Sequence, residues 1–374
     1  MKSKKKCVNS WTRMNTQNRT FSFSEGNVSE YHTLVTVTNP SLSFQEQVQA
    51  VLEAAGRLST GKTVHFRRFF LSDATNQVSL LEKSLEELPS VPTSIVQQAP
   101  LDRSKIALWL YYTSPMDCSG GAPSHNGYTH HWSGSMIAPG ANSREQMYGI
   151  FKQMEERIQP LTVADNTIRT WIFVRDVDCN YAGAVAGRKD YFNEAGLTAD
   201  THYIASTGIE GRHPDWKNLV EMDAYSIGGL KKGQLSYLYA LDHLSPTWDY
   251  GVTFERGASV TYGDRRHIFI SGTASIDAQG EVLHKGDVSL QAGRMLENIS
   301  ALLKEAGASL KDLAMGIVYL RDPSDYECVK AIVEASCPAI PIAYVLGPVC
   351  RPSWLVEMEC LAVTREGSAL YPAY

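Results

Sequence analysis

Hydrophobic and polar positions along the chain repeat one order of elements three times. Residues 32–38 alternate and are rich in β-branched side chains, which predicts a strand ended by Asn39-Pro40. Phe44, Val48, Val51, Leu52, Ala55 and Leu58 then recur at helical spacing until Gly61. A strand over 64–71, a helix from Ser72-Asp73 to Leu88, and closing strands over 93–98 and 106–112 complete the unit, with Pro89 and Pro92 stopping its second helix.

The same order returns downstream. A strand over 132–137 leads to a helix capped at Ser143, whose Met147, Ile150, Phe151, Met154 and Ile158 share one face. Strands over 167–174, 203–209 and 219–225 follow, with a helix over 181–194 after the first. The third unit opens with a hairpin, 254–262 and 267–276, turned at Gly263-Asp264. Its long helix places Val288, Ala292, Met295, Leu296, Ile299, Leu302 and Leu303 on one stripe. A strand over 314–320, a helix over 325–336 and two strands after Pro338 and Pro341 end it. Short identities support a true repeat: Leu219-Val-Glu-Met-Asp-Ala224 matches Leu355-Val-Glu-Met-Glu-Cys360, and Ser133-Gly134 matches Ser271-Gly272. The first unit shares only the order, and its last strand carries no acid. The expected division is a loose polar arm (1–30), a degenerate module (31–115), a second module (116–228), a connector (229–253) and a third module (254–365) that carries the candidate site.

Composition changes this picture little. The 374 residues carry a net charge of −5, which gives no electrostatic reason to expect nucleic acid. No apolar run reaches the length of a membrane helix, and none follows the basic start Met1-Lys-Ser-Lys-Lys-Lys6. Seven cysteines, an odd number without CxxC spacing, point to reduced thiols and a cytoplasmic protein. The Gly/Ser/Pro-rich stretch 113–128 brings Cys118 and His125 near His130 and His131 in sequence, but adjacent residues of a strand face opposite ways, so no metal site is expected.

Several motifs resemble the Rid (YjgF/YER057c/UK114) superfamily: Ile270-Ser271-Gly272, Asn298-Ile-Ser-Ala-Leu-Leu-Lys-Glu-Ala-Gly307, Val318-Tyr-Leu-Arg-Asp322 and Val356-Glu-Met-Glu-Cys-Leu-Ala-Val363. The resemblance implies an α+β fold of three tandem modules, each a mixed sheet with two helices on one face. Rid proteins are homotrimers, so three modules in one chain imply an intrachain pseudo-trimer, monomeric or at most a weak dimer. Arg169-Thr170-Trp171, Thr207-Gly208-Ile209, Phe254-Glu255-Arg256-Gly257, Ser271-Gly272-Thr273-Ala274-Ser275-Ile276 and His284-x-Gly286-Asp287-x-x-x-Gln291 are similar to the chorismatase branch. That branch implies chorismate or a related enolpyruvyl acid as substrate, pyruvate release, a hydroxybenzoate as one product, and no cofactor or metal. The partner it implies is a small carboxylic-acid metabolite.

Glu357 and Glu359 share one face of the last strand, because side chains alternate. A buried carboxyl is costly unless paired or protonated. Glu359 reads as a structural carboxylate held by an arginine. Glu357 stands at the catalytic position that the resemblance implies, as general acid. Arg256 and Lys330 are the expected cations for a dianion, although Lys330 stands where the family carries arginine and lacks its bidentate fork. Gly257 and Cys350 match the hydroxybenzoate-forming type, and Phe254, Arg169 and Thr207 complete the expected lining. Imine deamination, and metabolite sensing without catalysis, remain the alternative functions. The region 337–344 lacks the arginine with which Rid deaminases grip a carboxylate.

Overall fold

The computed structural model describes residues 15–247 and 251–374. Three sheets follow one another along the chain. The first has β1 (Thr16–Glu25), β2 (Val28–Val37), β3 (Thr63–Leu71), β4 (Thr93–Gln97) and β5 (Ile106–Thr113), with α1 (Phe44–Ser59) and α2 (Ala74–Leu85) between them. The second has β6 (Ser124–His125), β7 (Tyr128–Met136), β8 (Thr167–Val174), β9 (Ala205–Glu210) and β10 (Val220–Gly228), with α3 (Ser143–Arg157), the one-turn α4 (Val163–Asn166) and α5 (Val177–Glu194). The third has β11 (Leu235–Leu238), β12 (Gly257–Thr261), β13 (Arg266–Ala274), β14 (Leu313–Leu320), β15 (Ile342–Leu346) and β16 (Val356–Thr364), with α6 (Val288–Glu305) and α7 (Tyr326–Ser336). The strand orders are β1-β2-β5-β3-β4, β6-β7-β10-β8-β9 and β11-β12-β13-β16-β14-β15. Each is one mixed-sheet topology, and the third adds an edge strand.

Two expectations need correction. The stretch 1–30 is not all loose arm, because residues 16–25 form β1, paired in register with β2. Phe21 and Phe23 pack against the core, while the intervening polar residues keep the strand from reading as one. Residues 1–14 lie outside the described residues. The stretch 229–253 is likewise more than a connector, because β11 pairs with β12; residues 248–250 are outside the described residues. The helix starts follow ordinary capping. Ser43 and Glu46 form a capping box on α1, and Asn142, one residue before the expected Ser143, caps α3 by accepting from the Glu145 N–H.

Strand register defines the repeat. Ala107 pairs with Phe70, Glu221 with Phe173 and Glu357 with Tyr319, each one residue in from the same end of its sheet. Two residues on, Trp109, Asp223 and Glu359 correspond. Alternation sends Leu108, Leu110 and Tyr112 toward α1, and Met222 and Ala224 toward α3 and α5. The opposite faces of the three sheets meet in one interior, where Trp109, Trp132, Trp171 and Phe269 belong to a single apolar cluster. Backbone bridges close the ring: Gln97 to Arg212, Ala205 to Glu255, and Pro100 to Val345. The chain is therefore three tandem modules arranged as a pseudo-trimer. No described helix is long and apolar enough to cross a membrane.

Candidate active site

Where β9 of the second module meets β13 and β16 of the third, a cavity of about 250 Å³ opens. That is near the lower end of small-molecule sites. α5 contributes Tyr181 and Arg188, β9 contributes Ser206, Thr207 and Gly208, and the third module contributes Phe254, Arg256, Gly272, Cys350, Arg351, Trp354 and Glu357.

Glu357 projects from the central strand β16, between Ala274 of β13 and Tyr319 of β14, and is 5% exposed. Gly272 makes the room: a Cβ there would overlap the Glu357 carboxyl and press on Thr207. Burial pushes the Glu357 carboxyl up to about 8, the neighbouring Glu359 adds to this, and Arg169 and Arg256 oppose it. At neutral pH Glu357 is therefore mostly a neutral acid facing the cavity, the state a proton donor needs.

Glu359, two residues on, is held in place by three donors of the second module. It accepts from Arg169 Nη2 at 2.6 Å, from Trp171 Nε1 at 2.8 Å and from the Thr207 hydroxyl. Arg169 and Thr207 come from the second module, so this brace ties β8 and β9 to β16. Thr207 also accepts from the Gly272 N–H at 2.9 Å, which fixes the strand beside Glu357. Arg169 is fully enclosed by these partners and lies behind the cavity wall, so its expected role as a lining residue is replaced by that of a brace.

The cavity carries more positive than negative charge. Arg256 donates to the Ser245 carbonyl at 3.0 Å and sits over the Phe254 ring, 5.5 Å from its centroid. Arg351 stacks on Trp354 at 4.7 Å, and Trp354 Nε1 donates to the Ser275 carbonyl. Arg188 is 3% exposed; its Nε donates to Thr253, and its Nη2 is buried with no hydrogen-bond partner among the described residues. A buried guanidinium nitrogen without an acceptor is costly unless a ligand supplies one. With Glu357 neutral, the arrangement favours an anion carrying more than one charge. Cys350 lies against Tyr181 and Glu357, and burial pushes its thiol up to about 12, so it faces the cavity as a neutral thiol.

Of the residues expected from sequence, Glu357, Arg256, Phe254, Cys350 and Thr207 converge on this cavity. Lys330 does not. It projects from α7 into a separate cavity between the third and first modules, because the wall facing Glu357 is supplied by the second module rather than by the third module's own helix. Gly257 lies in β12 but outside the lining, where a Cβ would meet the Phe269 carbonyl, Leu238 and Ile270. Arg188 and Tyr181 were missed. The available signal was a charged residue inside the buried stripe Ala184, Arg188, Tyr191 of α5.

A family model described as Endoribonuclease L-PSP matches residues 259–364. A RutC family protein of Pyrococcus abyssi is 37% identical over 97 residues, 25% of this chain and 76% of that one. The 3-aminoacrylate deaminase RutC of Acinetobacter baylyi is 32% identical over 97 residues, 25% of this chain and 77% of that one. A chorismatase crystal structure superposes at a TM-score of 0.62 over 91% of this chain and 100% of that chain, at 18% identity, a likeness of fold that spans all three modules. With three quarters of a curated relative matched at that level, the chain belongs to the Rid (RutC, L-PSP) family.

Proposed function

We propose that the protein is a cofactor-independent enzyme of the chorismatase type, which cleaves pyruvate from chorismate or a related enolpyruvyl acid. The observation that carries this reading is a buried Glu357 facing a cavity lined by Arg188, Arg256 and Arg351, where burial pushes its carboxyl up to about 8. In this reading the arginines hold the substrate carboxylates, and the closely placed acid works on the side chain between them. Glu357 gives its proton to the methylene carbon of the enol ether, which becomes a methyl group and leaves an oxocarbenium ion. Water or a ring hydroxyl adds to the cationic carbon and returns a proton to Glu357. The adduct then releases pyruvate. Capture by a ring hydroxyl leads toward a hydroxybenzoate, a product favoured by Cys350 in the cavity wall.

The test is incubation of the purified protein with chorismate while pyruvate is followed by coupled reduction. Turnover is expected, and it falls as pH rises past about 8, because the acid form of Glu357 is then lost. Glu357→Gln lowers kcat by roughly 10²–10⁴-fold, the usual contribution of a positioned proton donor. Folded protein that releases no pyruvate, or that releases ammonia from freshly generated imino acids instead, overturns the reading.

A further inference from the structure

The interface between the third and first modules repeats the walls of the candidate active site without its acid. α7 and β15 face β2 and β5 there, as α5 and β9 face β13 and β16 at the other interface. Ala107 holds the register position of Glu357. A cavity of about 100 Å³ survives. For scale, a cavity of about 150 Å³ accepts a six-carbon ring, so this one suits a molecule of about four to six heavy atoms.

Its lining has two parts. Leu34, Ala107, Ile342 and Val345 are apolar. Around them stand two cations, Arg19 and Lys330, and two carboxylates, Asp102 and Glu334. Arg19 Nη1 lies 2.8 Å from Glu334 Oε1, and Lys330 Nζ lies 5.2 Å from the centroid of the Tyr326 ring. The lining charge is thus balanced, unlike that around Glu357. A simple anion or cation would leave net charge in the cavity, whereas a molecule carrying one charge of each sign would not.

We propose that this cavity is a second, non-catalytic ligand site that takes a small zwitterionic amino acid. The ligand carboxylate joins Arg19 and Lys330, its ammonium meets Glu334 and Asp102, and a short side chain rests on Ala107 and Leu34. Without an acid at position 107 the site binds and does not react. The proposal is independent of the reaction assigned to the other cavity.

Calorimetric titration of the full chain with L-alanine, and separately with acetate and methylamine, tests it. Saturable binding of L-alanine is expected, with acetate and methylamine each weaker by about tenfold or more, the loss of one charge-assisted contact. Lys330→Ala, on a partly exposed helical face, weakens L-alanine by a similar factor. Ala107→Leu fills the cavity and abolishes binding, with unchanged thermal unfolding as the check on its fold. Equal binding of acetate, absence of saturation in the wild type, or binding untouched in Lys330→Ala overturns the proposal.

Discussion

Glu221 and Glu357 occupy one register position in successive modules, and burial pushes both up to about 8. Their surroundings differ. Glu357 faces a cavity, whereas Glu221 is enclosed near the Ser135 hydroxyl and beside Asp223, which accepts from Arg68 Nε at 2.9 Å and Nη2 at 2.7 Å. A raised carboxyl binds its proton more tightly folded than unfolded, so the stability it contributes is complete below about 4.5 and is lost as pH rises through about 8. Glu221→Gln, neutral at every pH, removes that loss. The variant's melting temperature is expected to exceed the wild type's at pH 9, by an amount worth a few kcal/mol, and to match it near pH 5. Equal melting temperatures at both pH values would sink this account. The acids themselves were legible, because a strand reading Val-Glu-Met-Glu puts two carboxylates on one face and a repeat shows the pair twice. The cations were less so. Lys330 and Arg188 both lie on the last helix of a module, and only the direction in which the modules follow round the ring decides which of them faces Glu357.

At the scale of strands, Gly272 and Gly134 match in the sequence repeat but sit one step apart in the corresponding bulges of β13 and β7, and they fail differently when a methyl group is added. A Cβ at Gly272 runs into the end of the Glu357 side chain, which can turn away. Gly272→Ala is therefore expected to fold and to lose turnover, with kcat falling more than KM rises. A Cβ at Gly134 runs into the backbone of Thr93 and Ser94 in β4, which cannot give without parting the first module from the second. Gly134→Ala is expected to cost about 1–3 kcal/mol, read as a drop in denaturant midpoint. An inactive, unfolded Gly272→Ala beside a fully stable Gly134→Ala would reverse the assignment. Most helices and central strands were legible through their apolar spacing; α5, whose buried stripe holds Arg188, was expected only from Tyr181 although it begins at Val177. The edge strands β1 and β11 were not: β1 sets only Phe21 and Phe23 among polar residues, and β11 is four residues long, too short for alternation to show. Register within each sheet, which equates Ala107 with Glu357, needed the strand pairing itself.

At the scale of the whole molecule, charge is buried where all three modules meet. Glu30, His130 and His267 hold one register position, opposite Thr113, Ile227 and Val363. Glu30 of the first module accepts from Arg265 Nη1 of the third at 2.8 Å and lies 3.0 Å from His267 Nε2. Arg265 also donates to the Glu25 and Val28 carbonyls, and Tyr374 covers it at 4.8 Å while its hydroxyl bonds Tyr111. Burial alone would raise the Glu30 carboxyl, but His267 and Arg265 outweigh it and hold it near 2. Its stabilisation is therefore present above about 4.5 and lost as pH falls toward 2. Arg265→Met keeps most of the side-chain volume and leaves Glu30 without its permanent cation. A buried charge stripped of one partner costs about 3–5 kcal/mol. Because this pair joins modules whose inner faces share one apolar cluster, the loss should not fall on a single module. Scanning calorimetry is expected to show one transition in both proteins, lowered as a unit in Arg265→Met, with calorimetric and van't Hoff enthalpies in agreement. A first module that melts separately in the wild type would mean that the ring is three domains in contact rather than one cooperative body.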